Sequence, residues 1–263
     1  MHILSKSQIK SIVKIALEAG KIAMSHFGKD NLNIIKKSDN SPLTIADSLI
    51  SKLILQGLQK IIPSIPVICE EGENRDFGNG IFWLIDPIDG TISFTKHDPE
   101  FTINIALIKN KKPIFGLIFA PAIDKLPFYY TDESGAVIKY DTSICSGKPM
   151  FLPSQKKDDR QVPKIVSSKR SSDQDILNYF NSTKQIKLPT KKNILKVSSS
   201  LKFLYLIEKK ADLYLHLRRS MEWDIAAGHA LLEASGGRII NLDGSEFLYA
   251  KADLSNKPFL ASL

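Results

Sequence analysis

The chain of 263 residues lacks the features of an exported or membrane-spanning protein. No apolar run reaches the roughly 18 residues that a membrane-spanning helix requires. The first 20 residues mix Lys6, Lys10 and Lys14 with apolar residues, instead of forming the charged start, apolar centre and small-residue cleavage site of an export signal. We therefore expect a cytoplasmic protein.

Cysteine is scarce, and paired histidine motifs are absent from the sequence. Only two cysteines occur, Cys69 and Cys145, and they fit no Cys-x-x-Cys or Cys/His ligand spacing. The five histidines are scattered, without the spacing of a zinc enzyme. A reducing compartment is the simplest interpretation of so few thiols, and we expect no structural zinc ion.

Arginine accounts for only 6 of the 36 basic residues, although the formal net charge is +8. Surfaces that bind nucleic acids interleave arginine with aromatic side chains, whereas the 30 lysines here are spread along the chain. This pattern favours a solvated lysine-rich surface, and no nucleic-acid partner is expected. The densest stretch, residues 184–196, holds five lysines and no acidic residue, and can help to attract a small phosphorylated substrate.

What the sequence does contain is an ordinary globular composition, with 43% hydrophobic and 24% charged residues. Its length suits one large domain or two intimate ones. Apolar residues at helical spacing predict two N-terminal amphipathic helices, and short apolar runs predict strands. The helices are expected from residue 9 to residue 20 or 27 and over 44–62, the strands over 65–69 and 81–85, and an antiparallel hairpin over 101–108 and 114–119.

The second half alternates strand and helix, which favours an α/β layer. The predicted elements are strands over 164–167 and 211–217 and helices over 173–181, 200–208 and 224–234. Residues 150–163 show no apolar period and are predicted to form a surface loop near a subdomain boundary. We expect an α+β N-terminal subdomain (1–145) carrying metal-binding strands and loops, and an α/β C-terminal subdomain (146–263).

The strongest chemical feature is the segment WLIDPIDGT at residues 83–91. An apolar strand runs into two carboxylates, Asp86 and Asp89, and Gly90 then allows a sharp turn. Both carboxylates are therefore expected at the carboxyl end of the strand. Taken alone, the segment is equally consistent with a plain Asp-Pro and Asp-Gly turn.

Further carboxylates are predicted at the ends of other elements. Glu70 and Glu71 end a strand, where two like charges are unfavourable unless a cation relieves them. Asp224 and Asp47 each open a helix, and helix capping is the default interpretation of both. Together the acidic sites form an oxygen-only set, without histidine or thiol, of the kind that suits Mg²⁺.

Motifs of competing enzyme classes do not occur in the sequence. It contains no G-x-x-x-x-G-K-[ST] phosphate loop and no G-x-S-x-G nucleophile elbow. Residues 78–80 lack the third glycine of a dinucleotide fingerprint and precede a strand instead of following one. Kinase, ATPase and serine hydrolase interpretations therefore lose their usual support.

Three segments in this order resemble the signatures of the inositol monophosphatase superfamily of Mg²⁺-dependent, lithium-sensitive phosphatases. They are EE at residues 70–71, DPIDGT at 86–91 and WDIAAG at 223–228, and the match extends from about residue 41 to 237. The resemblance implies a layered sandwich of alternating helices and sheets. It also argues against a catalytically silent nucleotide-binding or RNA-binding protein, which has no need of a complete acid set.

Within that superfamily, residues 99–107, 199–203 and 220–228 resemble the CysQ-type 3'(2'),5'-bisphosphate nucleotidases. These enzymes hydrolyse adenosine 3',5'-bisphosphate, a by-product of sulfate activation, to AMP and phosphate. Ile92 and Ser93 stand where that group usually has Lys-Glu, and residues 215–218 (LHLR) replace its usual Pro-Arg-Phe-Gly. His216 is then either a polar surface residue or a replacement for an arginine near the nucleotide. The alternative is an inositol monophosphatase or sugar-phosphate phosphatase on the same fold.

The resemblance also implies roles for individual residues. Two or three Mg²⁺ ions are expected, one held by Glu70, Asp86 and the carbonyl of Ile88, another by Asp86, Asp89 and Asp224. Asp47, Glu70 and Thr91 are expected to be catalytic. The expected substrate contacts are Glu70, Ile88, Asp89, Gly90, Thr91, Ser199, Ser200, Lys202, Arg219 and Asp224. Some proteins of this type lie at the cytoplasmic face of the inner membrane; oligomeric state is not implied.

Overall fold

The structure, a computed structural model, describes residues 4–29, 35–36, 42–123, 128–142, 146–150, 162–183 and 188–263. Cys145, most of the predicted loop at 150–163 and the first part of the lysine-rich stretch lie outside these ranges. Among the described residues, no helix combines the length and apolar character needed to cross a membrane.

Six α-helices and sixteen strands are described. The helices are α1 (Lys6–His26), α2 (Ile45–Ile61), α3 (Thr91–Thr95), α4 (Asp173–Thr183), α5 (Leu201–Ile207) and α6 (Glu222–Ala234). The first nine strands are β1 (Ile35–Lys36), β2 (Pro42–Leu43), β3 (Val67–Cys69), β4 (Ile81–Asp89), β5 (Thr102–Lys109), β6 (Lys112–Phe119), β7 (Phe128–Thr131), β8 (Val137–Asp141) and β9 (Ser146–Pro149). The others are β10 (Ile165–Ser167), β11 (Ile194–Lys196), β12 (Leu213–His216), β13 (Ser220–Met221), β14 (Arg238–Asn241), β15 (Ser255–Asn256) and β16 (Phe259–Ser262).

Two sheets organise the chain. The first has the strand order β3-β4-β5-β6-β7-β8-β9; its strands are antiparallel except that β3 runs parallel to β4. The predicted hairpin is its β5–β6 pair. The second has the order β11-β10-β12-β16-β14, with β10 parallel to both β11 and β12 and the remaining pairs antiparallel.

The sheets alternate with helices because each sheet buries apolar side chains on both faces. On one face of the first sheet, Trp83 and Ile85 pack with residues of α1 and α2. On its other face, Phe82 and Leu84 join α5 and α6 in a core that also reaches the second sheet. Helix α4 packs on the far face of the second sheet. The order helix, sheet, helix, sheet, helix confirms the predicted layered sandwich.

Local sequence explains the two long N-terminal helices. Ser5 begins α1 in a capping box with Gln8, and Thr44 begins α2 in a capping box with Asp47. Each such cap contributes about 1 kcal/mol by pairing amide groups that the helix itself cannot satisfy. The predicted capping role of Asp47 is thus confirmed.

Helix α6 begins two residues before the predicted start at Asp224. Asp224 is the third residue of the helix, and its Oδ2 accepts a hydrogen bond from the Met221 amide at 2.9 Å. The helix lies directly on the first sheet because Gly116 of β6 has no side chain. A Cβ on Gly116 would lie 2.3 Å from the carbonyl oxygen of Ala227 in α6. This close approach brings the start of α6 to the face of β4 that carries Asp86.

Candidate active site

An irregularity in the β4–β5 pairing sets the directions of two aspartates. Asp86 pairs with Asn104 and Asp89 pairs with Thr102, so two residues of β4 face one residue of β5 between these pairs. Side chains three apart on a regular strand point to opposite faces. The extra residue in this β-bulge reverses the alternation, and Asp89 returns to the face that carries Asp86. Ile88 is correspondingly buried in the core on the other face.

Four carboxylates meet at this place. Glu70 follows β3, which runs parallel to β4, and its amide donates to the Ile85 carbonyl at 3.1 Å. The Glu70 side chain is hydrogen-bonded to the carboxyl group of Asp86, which is 1% exposed. Asp224 approaches from α6. The structure thus brings together the predicted metal ligands Glu70, Asp86, Asp89 and Asp224.

The carboxylates shift one another's titration. The pKa of Asp86 is raised well above its ordinary value, first by burial and then by the charges of Glu70, Asp89 and Asp224. The pKa of Asp224 is raised by burial and by Asp89 and Glu70. Burial also raises the pKa of Asp89. A cluster of buried like charges is unfavourable without a cation, so a divalent ion would stabilise this arrangement.

The donor chemistry of the cluster fits Mg²⁺. Asp86 Oδ1 is buried, and it has no hydrogen-bond partner among the described residues. Carboxylate and carbonyl oxygens are the ligands that Mg²⁺ prefers. Within the described ranges, no group of three or more Asp, Glu, His or Cys side chains is already arranged to hold a metal ion.

The positive charge of Lys202 interacts with two carboxylates of this cluster, Asp89 and Asp224. Lys202 is 6% exposed, its Nζ donates to the Ser199 carbonyl, and it lies 5.4 Å from the ring centroid of Tyr214. Burial lowers its pKa to about 8, while the charges of Asp89 and Asp224 act in the opposite direction. Lys202 therefore lies at the wall of the acid cluster, as a buried group.

Gly90 makes the turn from β4 into α3. Its φ of +91° lies in the left-handed region, and a Cβ there would lie 3.1 Å from the Glu100 carbonyl oxygen and 3.3 Å from Ser199 Cβ. Only glycine fits this position without strain. Thr91 follows, and its Oγ1 donates to the Ile88 carbonyl at 3.0 Å.

Asp47 is fully buried at the start of α2. Its Oδ2 accepts hydrogen bonds from the Thr44 amide at 2.8 Å and the Thr44 hydroxyl at 2.6 Å. Helix α3 contacts β2, which immediately precedes α2, so Thr91 and Asp47 belong to neighbouring elements. A functional pair between these two side chains stays a prediction.

The remaining predicted substrate contacts lie in different surroundings. Ser199 and Ser200 are buried beside Gly90 and Asn104, respectively. Arg219 is exposed, and its guanidinium lies 3.8 Å from Asp253 in a surface ion pair. The surface interpretation of His216 is wrong: the side chain is 8% exposed, stacks on Phe259 and pairs with the Tyr214 hydroxyl at 3.0 Å.

Two residues around the site were missed in the sequence. Asn104 donates to Asp89 Oδ2 at 3.4 Å and to Ser200 Oγ at 2.9 Å. Its signal was a lone amide within an apolar strand. The guanidinium of Arg75 lies 5.5 Å from the ring centroid of Trp223, which connects the loop after Glu70 to the start of α6. No sequence pattern indicated that contact.

Comparisons with known proteins identify the family of the chain. The family model described as "Inositol monophosphatase family" matches residues 5–260. Proteins named "3'(2'),5'-bisphosphate nucleotidase CysQ" from Buchnera aphidicola subsp. Acyrthosiphon pisum (strain APS) and Escherichia coli (strain K12) are each 32% identical to this chain. The first alignment covers 98% of this chain and 94% of the relative, and the second 92% and 93%. The crystal structure of CysQ from Bacteroides thetaiotaomicron superposes with a TM-score of 0.78 at 29% identity, covering 98% of this chain and 97% of that one.

Proposed function

Because the chain belongs to the inositol monophosphatase family, we propose that it is a Mg²⁺-dependent phosphatase that hydrolyses adenosine 3',5'-bisphosphate to AMP and phosphate. The observation that carries the proposal is the convergence of Glu70, Asp86, Asp89 and Asp224 on one face beside the Gly90 turn. Relatives named bisphosphate nucleotidase align with nearly the whole chain.

The four carboxylates would hold two or three ions. Glu70, Asp86 and the Ile88 carbonyl would bind one, and Asp86, Asp89 and Asp224 another, with Asp86 shared. The Ile88 carbonyl has a second lone pair available while it accepts the Thr91 hydroxyl. When bound, such ions neutralise charge on the phosphate and promote ionisation of a water.

Thr91 and Asp47 are proposed to orient the attacking water. Since the Thr91 hydroxyl donates its proton to the Ile88 carbonyl, its oxygen lone pairs are free to accept a hydrogen bond from that water. Glu70 is proposed to assist by accepting the proton that the water loses. The Asp47 carboxylate, fixed at the start of α2, is proposed to support the same water from the neighbouring element.

The substrate is proposed to bind between the two sheets. Backbone amides of Gly90 and Thr91 are proposed to contact the phosphate group that water attacks and that is released as product. Ser199, Lys202 and, more remotely, Arg219 are proposed to contact the nucleotide and its second phosphate. The exposed side chain of Ile92, directly after Thr91, gives this rim an apolar character that bears on substrate choice.

A phosphate-release panel tests the proposal. It compares adenosine 3',5'-bisphosphate, its 2',5' isomer, inositol 1-phosphate and fructose 1,6-bisphosphate, each with Mg²⁺ and with excess chelator. We expect the highest kcat/KM for the adenosine bisphosphates, no turnover without Mg²⁺, and inhibition by lithium. A preference for inositol 1-phosphate or fructose 1,6-bisphosphate would replace the substrate assignment, and the lack of any turnover would favour a silent binding protein. A cytoplasmic location and association with the inner face of the membrane stay predictions.

A further inference from the structure

Asp89 and Asp224 come from different elements, yet a continuous chain of hydrogen bonds connects them. Asn104 Nδ2 on β5 donates to Asp89 Oδ2 at 3.4 Å and to Ser200 Oγ at 2.9 Å. Ser200 Oγ in turn donates to the main-chain carbonyl of Asp224 at 2.7 Å. Asn104 and Ser200 are each 1% exposed, so neither side chain exchanges these partners for bulk water.

The hydroxyl of Ser200 is already committed. A serine has one proton to donate, and the acceptors beside it are the Asp224 carbonyl at 2.7 Å and the Asp89 carboxyl group, while its oxygen accepts from Asn104. Ser200 therefore cannot donate to a substrate phosphate without giving up a hydrogen bond to Asp224 or Asp89. Its position, immediately before α5, places it between the sheet that carries Asp89 and the helix that carries Asp224.

Asn104 also has few alternatives. It pairs with Asp86 across the β4–β5 ladder, and the bulge turns Asp89 toward it. Burial of an amide is costly unless hydrogen bonds compensate, and an apolar residue would serve as well if the position only filled space. Further along the same face of β5, Ala106 and Ile108 are buried apolar residues.

We propose that Asn104 and Ser200 form one positioning bridge that holds Asp89 and Asp224 at the separation needed for the second Mg²⁺ ion. This inference rests on the two-ion site of the proposed function. Neither residue needs to contact the ion or the substrate. Partners of this kind orient metal-binding carboxylates, and their removal typically weakens metal affinity or activity by roughly 10- to 100-fold.

Isothermal titration of Mg²⁺ into the substrate-free protein tests the bridge independently of turnover. The variants are Asn104→Ala, Asn104→Leu, Ser200→Ala and the double variant Asn104→Ala with Ser200→Ala. We expect each single variant to weaken Mg²⁺ binding roughly 10-fold or more. Because the two side chains act as a unit, the double variant should bind Mg²⁺ no more weakly than the more damaged single variant. Asn104→Leu keeps the branched shape without leaving a cavity and so separates loss of the amide from loss of packing.

Thr131→Val is the matched control. Thr131 lies on β7 of the same sheet, three strands away from β4. Its side chain is buried, and its hydroxyl oxygen accepts a hydrogen bond from the Gly116 amide. The Thr131→Val variant should be less stable toward urea, and its Mg²⁺ affinity should be unchanged. Wild-type Mg²⁺ affinity in folded Asn104→Leu or Ser200→Ala would overturn the bridge alone, and multiplicative effects in the double variant would overturn its action as a unit. A wild-type chain that takes up no Mg²⁺ would overturn the proposed function together with the bridge.

Discussion

Phe203 of α5 packs directly on Gly228 of α6: a Cβ built on the glycine would lie 2.0 Å from Phe203 Cδ2 and 2.3 Å from its Cγ. These two atoms lie at the end of the ring that is attached to Cβ, so they cannot move aside without moving α5. Helix α5 follows Ser200 and contains Lys202, and α6 carries Asp224. The glycine that ends the WDIAAG segment therefore sets the distance between two elements that form the site.

Gly228→Ala is expected to destabilise the protein by about 1–2 kcal/mol. Overpacking costs about 1–3 kcal/mol. This cost exceeds the stabilisation of up to about 1 kcal/mol that the better helix propensity of alanine provides. The free energy of unfolding in urea measures the change. Gly72→Ala is the control, since a Cβ there would meet its nearest neighbours only at 3.6 Å. An unchanged unfolding midpoint in Gly228→Ala would contradict the close contact.

Asp89→Asn should abolish most turnover while leaving the protein folded. Asparagine keeps the size and the contact with Asn104, but it removes the negative charge that the second ion requires. Steady-state kinetics over a range of Mg²⁺ concentrations, with circular dichroism as the folding control, provide the measurement. Asp224→Asn should behave alike, and near-normal turnover of either folded variant at saturating Mg²⁺ would contradict the two-ion assignment.

Thr91→Ala should lower kcat by roughly 100-fold or more with little change in KM. The hydroxyl is proposed to orient the attacking water, an interaction made mainly in the transition state, and such losses appear in kcat. Asp47→Asn should reproduce the effect with additional loss of stability, because Asp47 also caps α2. An increase in KM alone would make Thr91 a substrate contact instead.

Lys202→Ala should raise KM for adenosine 3',5'-bisphosphate markedly and barely alter turnover of inositol 1-phosphate, which lacks a second phosphate. Paired kinetics with both substrates separate two roles of this buried side chain. Since Asp89 and Asp224 act on its pKa, equal effects on the two substrates would assign Lys202 to charge balance within the acid cluster. Arg219→Ala, which changes an exposed ion pair, is the comparison.

His216 should make folding stability depend on pH in the acid range. Burial, assisted by the charge of Lys202 and more weakly by Arg170 and Arg218, lowers its pKa to about 3 from 6.5. Between pH 6.5 and pH 3, His216 binds a proton in the unfolded chain but stays neutral in the folded chain. His216 therefore lowers the free energy of unfolding as pH falls from 6.5 toward 3, by up to about 1.4 kcal/mol per pH unit.

The measurement is the difference between wild type and His216→Gln in urea unfolding at pH 7 and pH 4.5. His97→Gln, at an exposed position, is the control. The pH dependence of stability should be weaker in His216→Gln, because glutamine does not take up a proton on unfolding. The same loss of stability in both proteins between the two pH values would rule out a depressed pKa at His216.

Local patterns were sufficient for much of the fold. Apolar spacing predicts α1 and α2 because each helix buries one face, and the capping box at Thr44 is readable from the sequence. The hairpin β5–β6 follows from two apolar runs joined by a short polar turn. The acidic signatures identify the site because their order and spacing are specific as a set.

Other features depend on pairing between distant parts of the chain. Asn104 and Ser200 are 96 residues apart in sequence, so no local pattern predicts their hydrogen bond. The strand predicted over 81–85 continues to Asp89 as β4, because the bulge preserves pairing with β5 where the sequence suggests a turn. The strands β14 and β16 were not predicted, since their stability comes from pairing with each other and with β12.

The bulge between Asp86 and Asp89 makes the DPID spacing a property of two strands together. A graft of these four residues onto a regular antiparallel strand would send one carboxylate into the scaffold's core and leave only the other in the site. A designer who wants the acid pair must also transplant the shorter partner segment, with one residue between Thr102 and Asn104. The unit that can be transferred is therefore the mismatched strand pair.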